Sequence, residues 1–134
     1  MPLRDDGRFV LIHNRRHAVG DTLLELPAGT REPPEPTIET AARELQEETG
    51  YVADELRPLL SFYTAPGFCN EFIDAFLATG LTPGPTAHEA YEQIELCPLT
   101  TDEVHAAIQD GRIRDAKTVA TFLHYERYVA KGLA

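Results

Sequence analysis

The chain has only two cysteines, Cys69 and Cys97, and they follow no pattern. That is too few and too unordered for a zinc site or a disulfide framework, so both read as small reduced side chains. Long hydrophobic runs are missing too. No stretch approaches the length of a membrane span, and the opening residues MPLRDDGR hold no apolar leader segment. A cytoplasmic protein without a membrane partner is the expectation. Positive charge is scarce, with 12 Lys and Arg against 22 Asp and Glu and a formal net charge of -10. Long-range electrostatics would not draw such a chain to nucleic acid or an anionic membrane. A small phosphorylated molecule stays admissible, because bound divalent cations can reverse the local field. Internal repeats, low-complexity tracts and long linkers are absent as well.

What is present is the composition of a globular domain. The chain has 134 residues, 43% of them hydrophobic and 25% charged, enough for one sizeable core and too few for two. Residues 1–134 are therefore expected to form a single domain. The run Phe9 to Ile12 predicts a buried strand after the Asp6-Gly7 turn signal, and Leu23, Leu24 and Leu26 predict another ending at Pro27. Leu59 to Tyr63 and Phe72 to Ala78 read as strands joined by a loop containing Pro66 and Gly67, and Ile94 to Cys97 as a shorter strand. Two helices are expected to close the chain, one over about 101–110 ending at Gly111 and one over about 116–130 started by Asp115. Val119, Phe122, Leu123 and Val129 form its core stripe. Strands interleaved with helices in this order imply an α/β sandwich.

The residues from Gly29 to Tyr51 carry the chemistry. Thr37 after Pro36 is a plausible N-cap and Gly50 a C-terminal stop, which predicts a helix of about three turns over 38–48. On it Ile38, Ala41, Ala42 and Leu45 cluster as a core-facing stripe, while the acids lie elsewhere. Glu44 and Glu48 stack one turn apart and Glu47 flanks them. Like charges at this spacing cost a few tenths of a kcal/mol per pair, so a counter-ion is the simplest reason to gather them. Carboxylates without Cys or His nearby favour Mg2+, or Mn2+, over zinc or copper. The bland alternative is a solvated acidic face with Arg43 and Glu47 as an ordinary i, i+4 pair. It leaves unexplained why Gly29, Glu35 and Gly50 fall in register with the acids.

These positions follow the pattern G-x5-E-x7-R-E-U-x-E-E-x-G-U, with Leu45 and Tyr51 at the apolar positions U, and the segment resembles the Nudix box. The resemblance implies a Nudix-type α/β/α sandwich with a mixed curved sheet. It also implies hydrolysis of a nucleoside diphosphate linked to another group, with divalent metal lowering the pKa of the attacking water. Glu44 and Glu48 are then the principal metal ligands, Glu47 a third, and the backbone carbonyl of Ala28 a further one. Arg43 orients neighbouring carboxylates, and Glu35 supports the loop or the outer metal shell.

Outside the box, LLELPAG, SFYTAPGF and IRDAKT resemble the ADP-ribose pyrophosphatase branch, as does Pro66 standing sixteen residues after Gly50. From that branch Pro66, Gly67 and Phe68 are expected in the substrate loop, with Phe68 placed to stack on base or ribose. Arg15 and Arg16 follow the first strand, and the match favours Arg16 as a two-pronged phosphate contact. The general base is expected in a loop before Ile94. Glu92 fits one of the branch's acidic positions, Glu89 competes with it, and His88 is a weaker candidate. A homodimer is implied, although branch members usually carry a longer N-terminal segment that helps build it. The leading reading is Mg2+-dependent cleavage of ADP-ribose, or of a relative such as GDP-mannose. A Nudix-fold sensor that binds without turnover is the alternative, against which the intact acidic set argues.

Overall fold

The computed structural model describes residues 1–84 and 94–132. Strand β1 (Phe9–Arg16) is central, pairing antiparallel with β2 (Asp21–Glu25) on one side and β5 (Glu95–Leu99) on the other. Between these come helix α1 (Thr37–Thr49) and the hairpin of β3 (Tyr51–Tyr63) with β4 (Phe72–Pro83), also antiparallel. Helices α2 (Thr101–Gln109) and α3 (Ala116–His124) follow β5, and a π-helical turn, Tyr125–Val129, continues α3.

The unbroken apolar run of β1 is explained by burial on both faces. Phe9 and Leu11 join Leu24, Leu26, Val104, Ala107, Ile113 and Phe122 in the core, so α2 and α3 cover that face. Val10 and Ile12 point the other way and are buried too. Helix α1 packs on β3 and touches β1 and β4, which gives the expected arrangement of helices around sheet. The N-terminal residues stitch the two sheets together: Leu3 N–H donates to Ala78 O at 2.9 Å, and Pro2 bridges Ala78 in parallel while Leu3 bridges Phe9 in antiparallel. Both sheets are antiparallel, so in place of the one mixed sheet expected there are two sheets joined by a single parallel bridge among the described residues.

Several expectations need correction. Pro36, not Thr37, is the N-cap of α1; its extended backbone (φ -63°, ψ 146°) suits proline's fixed φ, and its carbonyl accepts from Glu39 and Thr40 N–H. The stripe on α1 is only partly apolar. Leu45 is buried and Ala41 half-buried, but Ile38 and Ala42 face solvent, and Thr40, Glu48 and Thr49 are buried instead. Polar bonds to the loop before the helix set its roll, and they pull the acidic side inward. β3 starts at Tyr51 rather than Leu59, because its first half is held by backbone pairing to β4 while alternating with polar, exposed residues. A register shift falls between Pro58 and Leu60, where proline has no N–H for the ladder. The last helix turns π-helical at Tyr125, whose ring lies 5.5 Å from Phe9 at 78°. Leu123 of the expected core stripe is exposed. Gly50 ends α1 as expected, in the left-handed region at φ 71° with its N–H on Gln46 O. Asp115 caps α3 through Thr118 N–H at 3.0 Å.

Phe122 meets Phe9 edge to face at 5.3 Å and is 2% exposed. Replacing it with alanine removes the ring that joins α3 to β1, so Phe122→Ala is expected to lower unfolding free energy by about 3–5 kcal/mol. Urea denaturation measures this, and a loss below about 1 kcal/mol would show that the core collapses around the gap.

Candidate metal and phosphate site

Arg43 organises the acidic helix. Its Nε donates to Glu35 at 3.2 Å, Nη1 to Glu44 and Glu47 at 2.8 Å each, and Nη2 to Glu35 and the Thr30 carbonyl at 3.2 Å each. One guanidinium thus ties the loop after Gly29 to two turns of α1. Glu35 also accepts from Thr40 Oγ1 at 2.8 Å and Glu32 N–H at 3.3 Å, consistent with its role as a loop support. The Arg43 hydrogen bond, then that of Thr40, holds the Glu35 carboxyl down to about 2, and the same carboxylates push the Arg43 pKa further up.

Gly29 and Glu44 fit each other closely. A Cβ at Gly29 would lie 1.8 Å from Glu44 Cδ, so any other residue there would displace the carboxylate. Next to it, Ala28 N–H donates to Glu48 Oε2 at 2.8 Å, and Glu48 is only 4% exposed. Of the expected ligands Ala28, Glu44, Glu47 and Glu48, the loop meets Glu48 at Ala28 and Glu44 at Gly29, and Arg43 bridges Glu44 to Glu47. Among the described residues no three His, Cys, Asp or Glu side chains form a metal cage by themselves. That is compatible with Mg2+, which needs one or two carboxylates and takes its remaining oxygens from water and substrate phosphate.

A cleft of about 860 Å³ opens beside this junction. Ala28, Gly29 and Glu44 line it from the loop and helix, Phe72, Ile73 and Phe76 from β4, and Arg16, Glu25 and Lys117 from the far side. Arg16 lines this cleft. Burial works against its charge, but the Glu25 hydrogen bond and the charges of Glu25, Glu48 and Asp115 outweigh it and raise its pKa. Pro66, Gly67 and Phe68 do not line the cleft. Phe68 is 88% exposed on a loop closed by Phe68 and Cys69 N–H bonds to Ala65 O, and the flanking Thr64 and Glu71 reach the cleft instead. Glu89, Glu92 and His88 lie outside the described residues.

One buried cluster was not anticipated. Glu25, 0% exposed, accepts from Asn14 Nδ2 at 3.1 Å, Lys117 Nζ at 3.2 Å, and Arg16 through both Nε (3.3 Å) and Nη2. Lys117 also pairs with Asp115 at 3.0 Å. The signal was present in an acid between two core leucines, Leu24 and Leu26, in LELPAG, and in the lysine of IRDAKT. What joins the two strings is contact across 92 residues.

Residues 1–122 match the NUDIX domain, and the chain belongs to that family. It is 44% identical over 122 residues to an ADP-ribose pyrophosphatase of Mycobacterium tuberculosis, covering 89% of this chain and 59% of that protein. It is 37% identical over 119 residues to a methanol dehydrogenase activator of Bacillus methanolicus, covering 87% and 64%. The chain thus spans about three fifths of the length of these curated relatives. A crystal structure of an ADP compounds hydrolase superposes with a TM-score of 0.87 at 21% identity over 100% of this chain and 74% of that one, a likeness of fold.

The Glu35 carboxyl is charged in the folded protein well below its ordinary 4.5. Its depressed pKa stabilises the fold above pH 4.5, and that contribution is lost as pH falls through about 2. Urea midpoints measured from pH 6 to pH 2 should therefore decline more steeply in the wild type than in Glu35→Gln. Parallel curves would mean that Arg43 does not hold this carboxylate in solution.

Proposed function

We propose that the protein hydrolyses the diphosphate linkage of ADP-ribose, or of a related nucleoside diphosphate sugar such as GDP-mannose, giving a nucleoside monophosphate and a sugar phosphate. The observation that carries this reading is the convergence of Glu44, the Ala28-Gly29 loop and Arg16 on one cleft, with Glu48 bonded to Ala28 behind it. A volume of about 860 Å³ suits a dinucleotide-sized molecule. Similarity to an ADP-ribose pyrophosphatase supports the choice of substrate.

The proposed cofactor is Mg2+, with Mn2+ as a substitute; when bound it neutralises diphosphate oxygens and lowers the pKa of the attacking water. Glu44 and Glu48 would hold it, with Glu47 and the Ala28 carbonyl. Arg43 keeps the carboxylates aligned, and Arg16 engages phosphate across the cleft through its guanidinium fork. Glu92 accepts the water proton, with Glu89 its competitor. Phe68, exposed and outside the cleft lining, would stack on a base or ribose that extends past the rim. A cytoplasmic homodimer completes the reading, and light scattering on the purified protein tests the dimer.

A hydrolysis panel of ADP-ribose, ADP-glucose, GDP-mannose, dinucleoside polyphosphates and oxidised nucleoside triphosphates, with and without Mg2+, tests the function. Turnover of ADP-ribose only with metal is expected, whereas tight binding of one member with no turnover would establish a sensor. Glu48→Gln should reduce turnover by about 10²-fold or more while thermal melting stays cooperative, because it removes a charged oxygen donor where the reaction gathers negative charge. Near-wild-type activity at limiting Mg2+ would remove Glu48 from the metal site. For the base, Glu92→Gln should lower kcat by about 10²–10⁴-fold with little change in substrate affinity, and Glu89→Gln should be mild. Full activity in both variants and in the double variant would move the role to Glu47.

A further inference from the structure

Glu25 is 0% exposed, and an unpaired carboxylate there would be prohibitive. Strand register explains how it is paired. Ile12 faces Glu25 across the β1–β2 ladder, and Asn14 and Arg16 continue the same face of β1 at two-residue steps. Both of their side chains donate to Glu25, and Lys117 reaches it from the first turn of α3. Arg16 and Lys117 together balance Glu25 and Asp115, so the cluster is neutral as it stands. Its members are not equally placed. Side-chain exposure is 1% for Glu25, 13% for Lys117 and 16% for Asp115, but 40% for Arg16. Arg16 is the open member of the cluster, and it stands at the wall of the cleft.

A purely structural cluster could be replaced by apolar packing at little or no cost, so its charge calls for another reason. We propose that Glu25 is the positioning residue of the phosphate arginine. Its two oxygens grip Arg16 through Nε and Nη2 and fix the guanidinium plane at the cleft wall, while Lys117, itself held by Asp115, pins the Glu25 carboxylate from α3. The inference rests on the reading above of the cleft as a nucleoside diphosphate site. It gives LELPAG and IRDAKT one shared task, performed through Arg16.

The experiment is a double-mutant cycle on the full chain with Mg2+ and ADP-ribose. Arg16→Ala removes the phosphate contact and Glu25→Gln removes its grip, each expected to raise KM about tenfold or more with a smaller effect on kcat. The double variant should be no worse than Arg16→Ala, since Glu25 has nothing left to position. Losses that multiply, or a wild-type KM in Glu25→Gln, would overturn the proposal. If Glu25→Gln does not fold, Glu25→Asp keeps the buried charge and shortens its reach by one methylene; a raised KM supports the proposal and a wild-type KM overturns it. Should the wild type hydrolyse no member of the substrate panel, the functional reading fails by itself. Calorimetric titration with inorganic pyrophosphate and Mg2+ then decides the inference separately: weakened binding in both single variants without further loss in the double supports it, and equal binding in the wild type and Glu25→Gln overturns it.

Discussion

The guanidinium of Arg43 is the contact on which the site depends. Five hydrogen bonds at 2.8–3.2 Å connect it to Glu35, Glu44, Glu47 and the Thr30 carbonyl. Without it, Glu44 and Glu47 would repel each other along the helix and the loop after Gly29 would lose its tie to it. The planar fork matters as much as the charge. A lysine has one ammonium centre and could not hold acceptors on both the loop and the helix in a fixed plane. Because Arg43 fixes the loop, the close approach of Gly29 to Glu44 and the bond from Ala28 to Glu48 can both form.

A second constraint is the way charge is buried. Glu25 and Glu48 are both nearly inaccessible, and among the described residues no buried side-chain nitrogen or oxygen lacks a partner. Each is satisfied by a different device, Glu48 by a backbone N–H and Glu25 by three side chains. Both carboxylates favour the charged form of Arg16, Glu25 by direct hydrogen bond and Glu48 through its charge. Core packing supports this arrangement from behind: Thr118 caps the end of β2 by accepting from Leu26 N–H at 2.8 Å, so the start of α3 and the strand carrying Glu25 are fixed together. Lys117 reaches Glu25 because its neighbour Thr118 is already anchored.

The box helix was legible because its signals are local. Proline before it, glycine after it and acids at one-turn spacing depend only on helical geometry, and α1 runs Thr37–Thr49 close to the expected span. The central strand was legible for a similar reason, since an unbroken apolar run reports burial on both faces. Its partners, the roll of α1 and the first half of β3 were not. Thr40, Glu48 and Thr49 are buried because the loop carrying Ala28 and Glu35 bonds to that side, and residue polarity alone pointed the other way. Likewise Val52, Asp54 and Leu56 lack a clean strand pattern, and pairing with β4 supplies what propensity does not.

The family, the acidic helix and the chemistry of its oxygen donors were thus determined by the sequence itself, since residue type and short-range spacing are enough to define them. Tertiary structure alone decided that Arg16 meets Glu25, that Lys117 joins them from 92 residues away, and that Phe68 points to solvent while Thr64 and Glu71 line the cleft. The reason is physical. Strand register and helix docking bring together groups whose separation along the chain contains no distance information, and only the folded packing selects which of many compatible charge pairs forms.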